Sequence, residues 1–190
     1  MQVLGISGSL RGGSHNTELV RAAGALIEAG DAEFDVYDGL KLVPPYDKDD
    51  DVPDAPAAVA HMRAAIVGAD AVLFATPEYN SSIPGQLKNA IDWLSRPIAT
   101  NVLRNKPVTV VGASTGMFGA VWAQAELRKV LAATGARVVG GELPVPHAHE
   151  RFDKDGRLND PELEQALADV VRSLVEAVRP VSEESATPAA

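Results

Sequence analysis

The sequence contains no cysteine. A disulfide framework, a thiolate metal site and a dithiol redox centre are therefore excluded, and any redox chemistry has to run on a bound cofactor. Positive charge is scarce as well: 17 Lys and Arg stand against 26 Asp and Glu, a formal net charge of −9. Affinity for nucleic acid comes largely from neutralising phosphates with Lys and Arg, so neither nucleic acid nor an anionic membrane is an expected partner. No apolar run approaches the roughly 20 residues of a membrane span. The start, Met1-Gln2-Val3-Leu4-Gly5, lacks the basic and apolar stages of a signal peptide. A cytoplasmic protein without membrane attachment is the expectation. What is present is a chain of 190 residues, 46% hydrophobic and 23% charged, the balance of a globular protein with one substantial core.

Periodicity divides the chain into alternating strands and helices. An apolar run over residues 2 to 7 is followed by a Gly/Ser-rich stretch and by Leu19, Val20, Ala23, Leu26 and Ile27 at helical spacing. Glu33 to Tyr37 alternates apolar and polar residues, which suits an edge strand. The Pro/Asp-rich stretch from Pro44 to Pro56 reads as a loop, and a helix is predicted over roughly Ala57 to Val67. Ala71 to Ala75 and Val108 to Ala113 are unbroken apolar runs of the kind a central parallel strand needs. Between them, Pro84 suits a first helical position, with Leu87, Ala90, Ile91 and Leu94 on one face. Phe118, Val121, Trp122, Ala125, Val130 and Leu131 mark the next helix, and Arg137-Val138-Val139 begins a fifth strand. A last helix is predicted from Pro161 to Val178, with Leu163, Leu167, Val170, Val171, Leu174 and Val178 inward. Strands alternating with helices imply right-handed crossovers and an α/β doubly wound, five-stranded parallel sheet with helices on both faces. One domain over residues 1–180 and a disordered C-terminal tail over 181–190, rich in Ser, Glu, Ala and Pro, complete the expectation.

In such a sheet, ligands bind beyond the carboxyl ends of the strands where the strand order reverses. The first such loop reads Ser7-Gly8-Ser9-Leu10-Arg11-Gly12-Gly13-Ser14-His15-Asn16-Thr17. Glycines let the backbone turn its N–H groups inward, Ser, Thr and Asn supply further donors, Arg11 adds a forked cation, and the helix start adds its dipole. Gly8 and Gly13 have P-loop spacing, but Ser14 stands where the lysine of a nucleoside-triphosphatase belongs. Nor do Gly5, Gly8, Gly12 and Gly13 supply the dinucleotide spacing Gly-x-Gly-x-x-Gly. The remaining reading is a site for one terminal phosphate, set against helix capping and chain turning alone.

Two more polar loops follow strand ends. Thr76-Pro77-Glu78-Tyr79-Asn80-Ser81-Ser82-Ile83-Pro84-Gly85 follows the third strand, and Ala113-Ser114-Thr115-Gly116-Met117-Phe118-Gly119 the fourth. In a flavodoxin-like strand order the first and third strands flank the switch point, so their loops can grip one ligand. Backbone groups around Glu78 to Asn80 suit the edge of a planar ring, and Gly116 and Gly119 allow a flat molecule to approach the main chain. A turn set by Asn80 and Pro84, and capping by Ser114 or Thr115, are the plainer readings.

Gly8-Ser9-Leu10-Arg11 with Ser14 and Asn16-Thr17, Thr76-Pro77-Glu78-Tyr79-Asn80, and Ile83-Pro84-Gly85-Gln86-Leu87-Lys88-Asn89-Ala90-Ile91-Asp92-Trp93 together resemble the NADPH-dependent FMN reductase family, which includes quinone, azo-dye and chromate reductases. The likeness runs from about Val3 to Leu158. It implies a flavodoxin-like fold with FMN as cofactor and NADPH or NADH as co-substrate. It further implies that Ser9, Arg11, Ser14, Asn16 and Thr17 hold the FMN phosphate. Pro77, Glu78, Tyr79 and Asn80 would contact the isoalloxazine and ribityl portions, and Ser114, Thr115, Gly116 and Gly119 the pyrimidine edge. The activity implied is hydride transfer from NAD(P)H through FMN to quinones, free flavin, azo compounds or metal oxyanions, by a ping-pong exchange that needs no catalytic side chain. Relatives of this kind are dimers or tetramers, which makes the helix from Leu87 to Leu94 a candidate subunit contact. Ser81 departs from the bulkier residue of some relatives.

His147 and His149 would point the same way on an extended segment, but two ligands make no closed metal site, so no metal is expected. The competing class is a flavodoxin-type electron carrier, which the acidic surface suits; a flavin-binding sensor is a third.

Overall fold

The computed structural model describes residues 1–178. One 6-stranded sheet is built from β1 Gln2–Ser7, β2 Glu33–Tyr37, β3 Ala71–Thr76, β4 Pro107–Ala113, β5 Arg137–Val138 and β6 Pro144–Val145. The helices are α1 His15–Glu28, α2 Ala57–Gly68, α3 Gly85–Leu94, α4 Val121–Ala133 and α5 Pro161–Val178. The order is β2-β1-β3-β4-β5, β6 also pairs with β4, and every pairing is parallel.

The central strands are apolar because helices cover both faces. Side chains alternate along a strand, so Leu4, Ile6, Val72 and Phe74 enter one core layer, with Met62 of α2, Trp93 of α3 and Leu127 of α4. Val3, Ala71, Leu73 and Ala75 enter the other, with Leu19 of α1 and Leu167 of α5. Strand β2 lies at the edge, where Asp35 and Val36 are exposed and Tyr37 is buried. The last helix runs as read, with Leu167, Val170, Val171 and Leu174 buried. The tail expected over 181–190 lies outside the described residues.

Three sequence expectations need correction. The fifth strand is interrupted: β5 stops at Val138, Gly140 turns the chain at φ +69°, and parallel pairing with β4 resumes only at β6. Side chains bridge the gap, since Thr109 Oγ1 donates to Val139 O at 3.1 Å and Arg128 Nη2 to Gly140 O at 2.8 Å. The fully buried Gln124 accepts from Leu143 N at 3.0 Å and donates to Gly119 O at 3.1 Å. Helix α4 is rotated from its expected face. Gly119 and Ala120 take left-handed turns at φ +58° and +62° before it begins, so Ala123, Gln124, Leu127 and Leu131 face inward. Phe118 precedes the helix, and Phe118, Trp122 and Ala125 are exposed.

The start of α3 also shifts: Pro84 is its cap, with φ −57° and ψ 137°, and the helix starts at Gly85. Its inward residues are Leu87, Ala90, Ile91, Trp93 and Leu94, so the helix named as a candidate subunit contact keeps these apolar side chains inside the chain.

Candidate functional site

Strands β1, β3 and β4 are neighbours, so the loops leaving their carboxyl ends meet at one edge of the sheet. The first loop is tied down from within. Gly8 N donates to Ala75 O at 2.7 Å, anchoring the loop to β3. Ser7 Oγ accepts from Ser9 N at 3.3 Å and from Thr17 Oγ1 at 3.0 Å. Ser14 caps α1, its Oγ accepting from Asn16 N at 3.2 Å. The backbone N–H groups of Leu10, Gly12, Gly13, Ser14 and His15 donate to no acceptor among the described residues. Arg11 is exposed and enters no ion pair among the described residues. Free amides, hydroxyls and one guanidinium at a helix start are the donor set of a phosphate monoester.

Asn16 has a different task. Its side chain is buried at 3% exposure. Its Nδ2 donates to Ala113 O at 2.9 Å, and its Oδ1 accepts from Ala113 N at 3.0 Å. One carboxamide thus satisfies both backbone groups of Ala113, whose strand partner is Val145 of β6, and clamps the first loop to the third.

The second loop is a tight reversal. Tyr79 and Ser82 exchange backbone hydrogen bonds at 3.0 and 3.1 Å. Between them Asn80 and Ser81 have φ of 53° and 58°, the pattern of a type I′ turn, which Asn tolerates well. Glu78 Oε2 accepts from Trp122 N at 3.0 Å and Ala123 N at 3.1 Å. A carboxylate there satisfies orphan donors and the dipole of α4 together. Ser82 Oγ donates to Glu126 on the same helix.

The third loop is held by residues beyond the broken strand. Ser114 N donates to Val145 O at 3.1 Å, Ala148 N to Ser114 O at 3.0 Å and His147 N to Gly116 O at 3.1 Å. At Gly119 a side chain would meet Val145 N at 2.6 Å, so backbone fills that space. The segment at His147 is not extended as expected. His147 is left-handed at φ 50° and opens a single 3-10 turn, Ala148–Glu150, which sets the rings of His147 and His149 at 76°. Among the described residues no group of three or more His, Cys, Asp or Glu is placed to hold a metal.

Ser9, Arg11, Ser14 and Asn16 of the first loop, Pro77, Glu78 and Tyr79 of the second, and Ser114 and Thr115 of the third line one cleft. Thr17, Asn80, Gly116 and Gly119 stand back from its lining. His15 and Ala113 line it too, although the sequence reading gave neither a role. For His15 the available signal was its position as first residue of the helix behind a phosphate-type loop. A larger groove lined by Lys88, Arg96, Arg104 and Lys129 lies at the opposite end of the sheet, where doubly wound folds do not build ligand sites.

The family model for NADPH-dependent FMN reductase matches residues 1–150. An NAD(P)H-dependent FMN reductase of Pseudomonas aeruginosa is 39% identical over 175 residues, covering 92% of this chain and 93% of that protein. A quinone reductase of Escherichia coli K12 is 39% identical over 140 residues, 73% of each chain. Among solved structures, FerB, a flavoenzyme NAD(P)H:(acceptor) oxidoreductase from Paracoccus denitrificans, superposes with a TM-score of 0.81 at 36% identity, covering 93% of this chain and 96% of that one. A flavodoxin from Pseudomonas aeruginosa, 18% identical with a TM-score of 0.58, shares the fold alone. Both the donor set of the cleft and the extent of these matches lead to one assignment: the chain belongs to the NADPH-dependent FMN reductase family.

Proposed function

We propose that the three-loop cleft holds FMN and that the protein passes hydride from NAD(P)H through it to small acceptors: quinones, free flavin, azo compounds or metal oxyanions. The observation that carries this reading is the Asn16–Ala113 clamp, which holds a phosphate-type loop against the polar loop that follows β4. The phosphate would be held by the hydroxyls of Ser9 and Ser14, the free amides of the first loop, and Arg11. Thr17 supports Ser7 from behind, and Asn16 sets the spacing. Pro77 to Asn80 would offer backbone groups to the ring and ribityl chain, with Ser114, Thr115 and Gly116 at the pyrimidine edge and Gly119 shaping their loop.

FMN held there would supply the redox chemistry, two-electron hydride transfer. The residues of this chain bind, orient and supply hydrogen-bond donors; no side chain acts as acid, base or nucleophile in this reading. The relatives named quinone reductase support quinones as one acceptor class. In this reading the site belongs to one domain, residues 1–180, of a cytoplasmic protein. Phe118, Trp122 and Tyr79, 54%, 47% and 55% exposed beside the cleft, are the face a second copy would cover in a homodimer or homotetramer. Light scattering should then return a multiple of 19.9 kDa.

The deciding experiment is a visible spectrum of the purified protein. Flavin absorbance that bleaches with NADPH and returns on adding a quinone or free FMN is the expected outcome. Bleaching without steady-state turnover would leave instead the carrier reading, which the net charge of −9 favours.

A further inference from the structure

His15 opens α1 and lines the cleft beside Arg11 and Ser14, and none of the roles above uses it. Two contacts fix its ring. Nδ1 lies 2.9 Å from Glu18 Oε2, one turn along the helix. The imidazole also stacks on Phe152, centroids 6.0 Å apart and planes within 6°. An ionised carboxylate only accepts hydrogen bonds, so Nδ1 carries a proton whether the ring is neutral or charged. The change of charge falls entirely on Nε2, which has no hydrogen-bond partner among the described residues. Neutral His15 presents a lone pair there, and charged His15 an N–H donor.

We propose that His15 binds the phosphate of the flavin as an imidazolium, so that FMN binding draws a proton onto the protein. This rests on reading the cleft as the FMN site. A phosphate monoester loses its second proton near pH ~6, so at pH 7.5 the ligand is mostly a dianion. A dianion beside Nε2 favours the charged ring. Glu18 acts in the same sense. Arg11 on the loop and Arg21 on the helix oppose it, and the segment carrying Phe152 adds Asp153 and Asp155 on one side of the balance, Lys154 and Arg157 on the other. Across the cleft Glu78 is engaged by α4. The stack on Phe152 keeps the ring in place in both charge states, so the proton changes chemistry without a change of rotamer.

The test is calorimetric titration of FMN into flavin-free protein at pH 7.5, in two buffers of different ionisation enthalpy. The parent protein should take up a large fraction of one proton per FMN bound, and His15→Gln should take up much less. At pH 6.5, His15→Gln should bind FMN about tenfold more weakly, the value of one charge-assisted hydrogen bond, and the gap should narrow as the pH rises. Riboflavin, which lacks the phosphate, should bind both proteins equally and without proton uptake. Glu18→Gln, which no longer forces the proton onto Nδ1, should lower the uptake while leaving the His15 ring in place. Equal proton uptake in the parent and His15→Gln overturns the inference while leaving the FMN site standing. Failure of the parent to bind either flavin removes the site and the inference together.

Discussion

The first loop, Ser7 to Thr17, and the helix motif Pro84 to Trp93 are the two stretches that mark this sequence most strongly, and they spend their polar groups in opposite ways. The loop keeps hydroxyls, amides and Arg11 free at the cleft. The motif turns its polar groups back on the chain. Gln86 Nε2 donates to Leu40 O and Val43 O, both at 2.8 Å. Asn89 donates to Pro44 O at 2.8 Å and accepts from Tyr46 N at 2.7 Å, and Trp93 Nε1 donates to Pro44 O at 2.9 Å. The motif is a clasp that fastens the connection after β2 onto the core. A stretch can be diagnostic of a family because it solves a folding problem, and this one meets the loop through apolar packing, Leu87 Cδ2 lying 2.8 Å from where a Cβ at Gly8 would stand.

That contrast can be broken by substitution. The largest effect is expected for Trp93→Ala, which empties a fully buried site; it should cost about 3–5 kcal/mol of stability in a urea titration, while FMN affinity per folded molecule stays unchanged. A parallel loss of affinity would show that the clasp reaches the site. Arg11→Ala should do the converse, weakening FMN by about 1.5–3 kcal/mol, with riboflavin affinity and the urea midpoint unmoved. Equal losses for the two flavins would strip Arg11 of its phosphate role. Asn16→Ala belongs to both categories: it leaves both backbone groups of Ala113 without their side-chain partner, so stability should fall by about 1–3 kcal/mol and both flavins should bind more weakly. The smallest effect is expected at the exposed pair Lys88–Asp92, 2.7 Å apart on adjacent turns. Lys88→Ala should change stability by no more than about 0.5 kcal/mol, and a shift above 1 kcal/mol would mean that the outer face of α3 is covered by another surface.

Much of this architecture was legible in the sequence. Unbroken apolar runs located β3 and β4, because a strand buried on both faces has no polar face to show. The phosphate-type loop stood out because five donor-bearing residues exceed what one helix cap requires. What could not be read has a physical cause in each case. The fifth strand fails where Gln124, fifteen or more positions upstream, takes over ladder hydrogen bonds with its side chain, and periodicity carries no sign of such a substitution. Helix α4 was misaligned because left-handed turns at Gly119 and Ala120 precede it, and Ala at such a position gives no warning. Glu78 looked like a ligand contact by its place in the loop, yet its carboxylate closes a helix more than forty residues later. His15 was passed over because its partners, Glu18 and Phe152, give it a fixed ring only once the last third of the chain has docked.

The Asn16–Ala113 clamp spans 97 residues of sequence, and this bears on when the site can exist during synthesis. A nascent chain that has released β1, α1 and β3 possesses the first two loops, with Gly8 N able to reach Ala75 O, but the Asn16 carboxamide that clamps the first loop to the third has no partner until β4 emerges. The third loop waits longer, since Val145 and His147 hold it from beyond the interrupted strand. Contacts this distant form late and together. Flavin capture is therefore expected only once Val145 and His147 have emerged, and a ribosome stalled before residue 113 should present a polypeptide with three complete strands of the six and no grip on the cofactor.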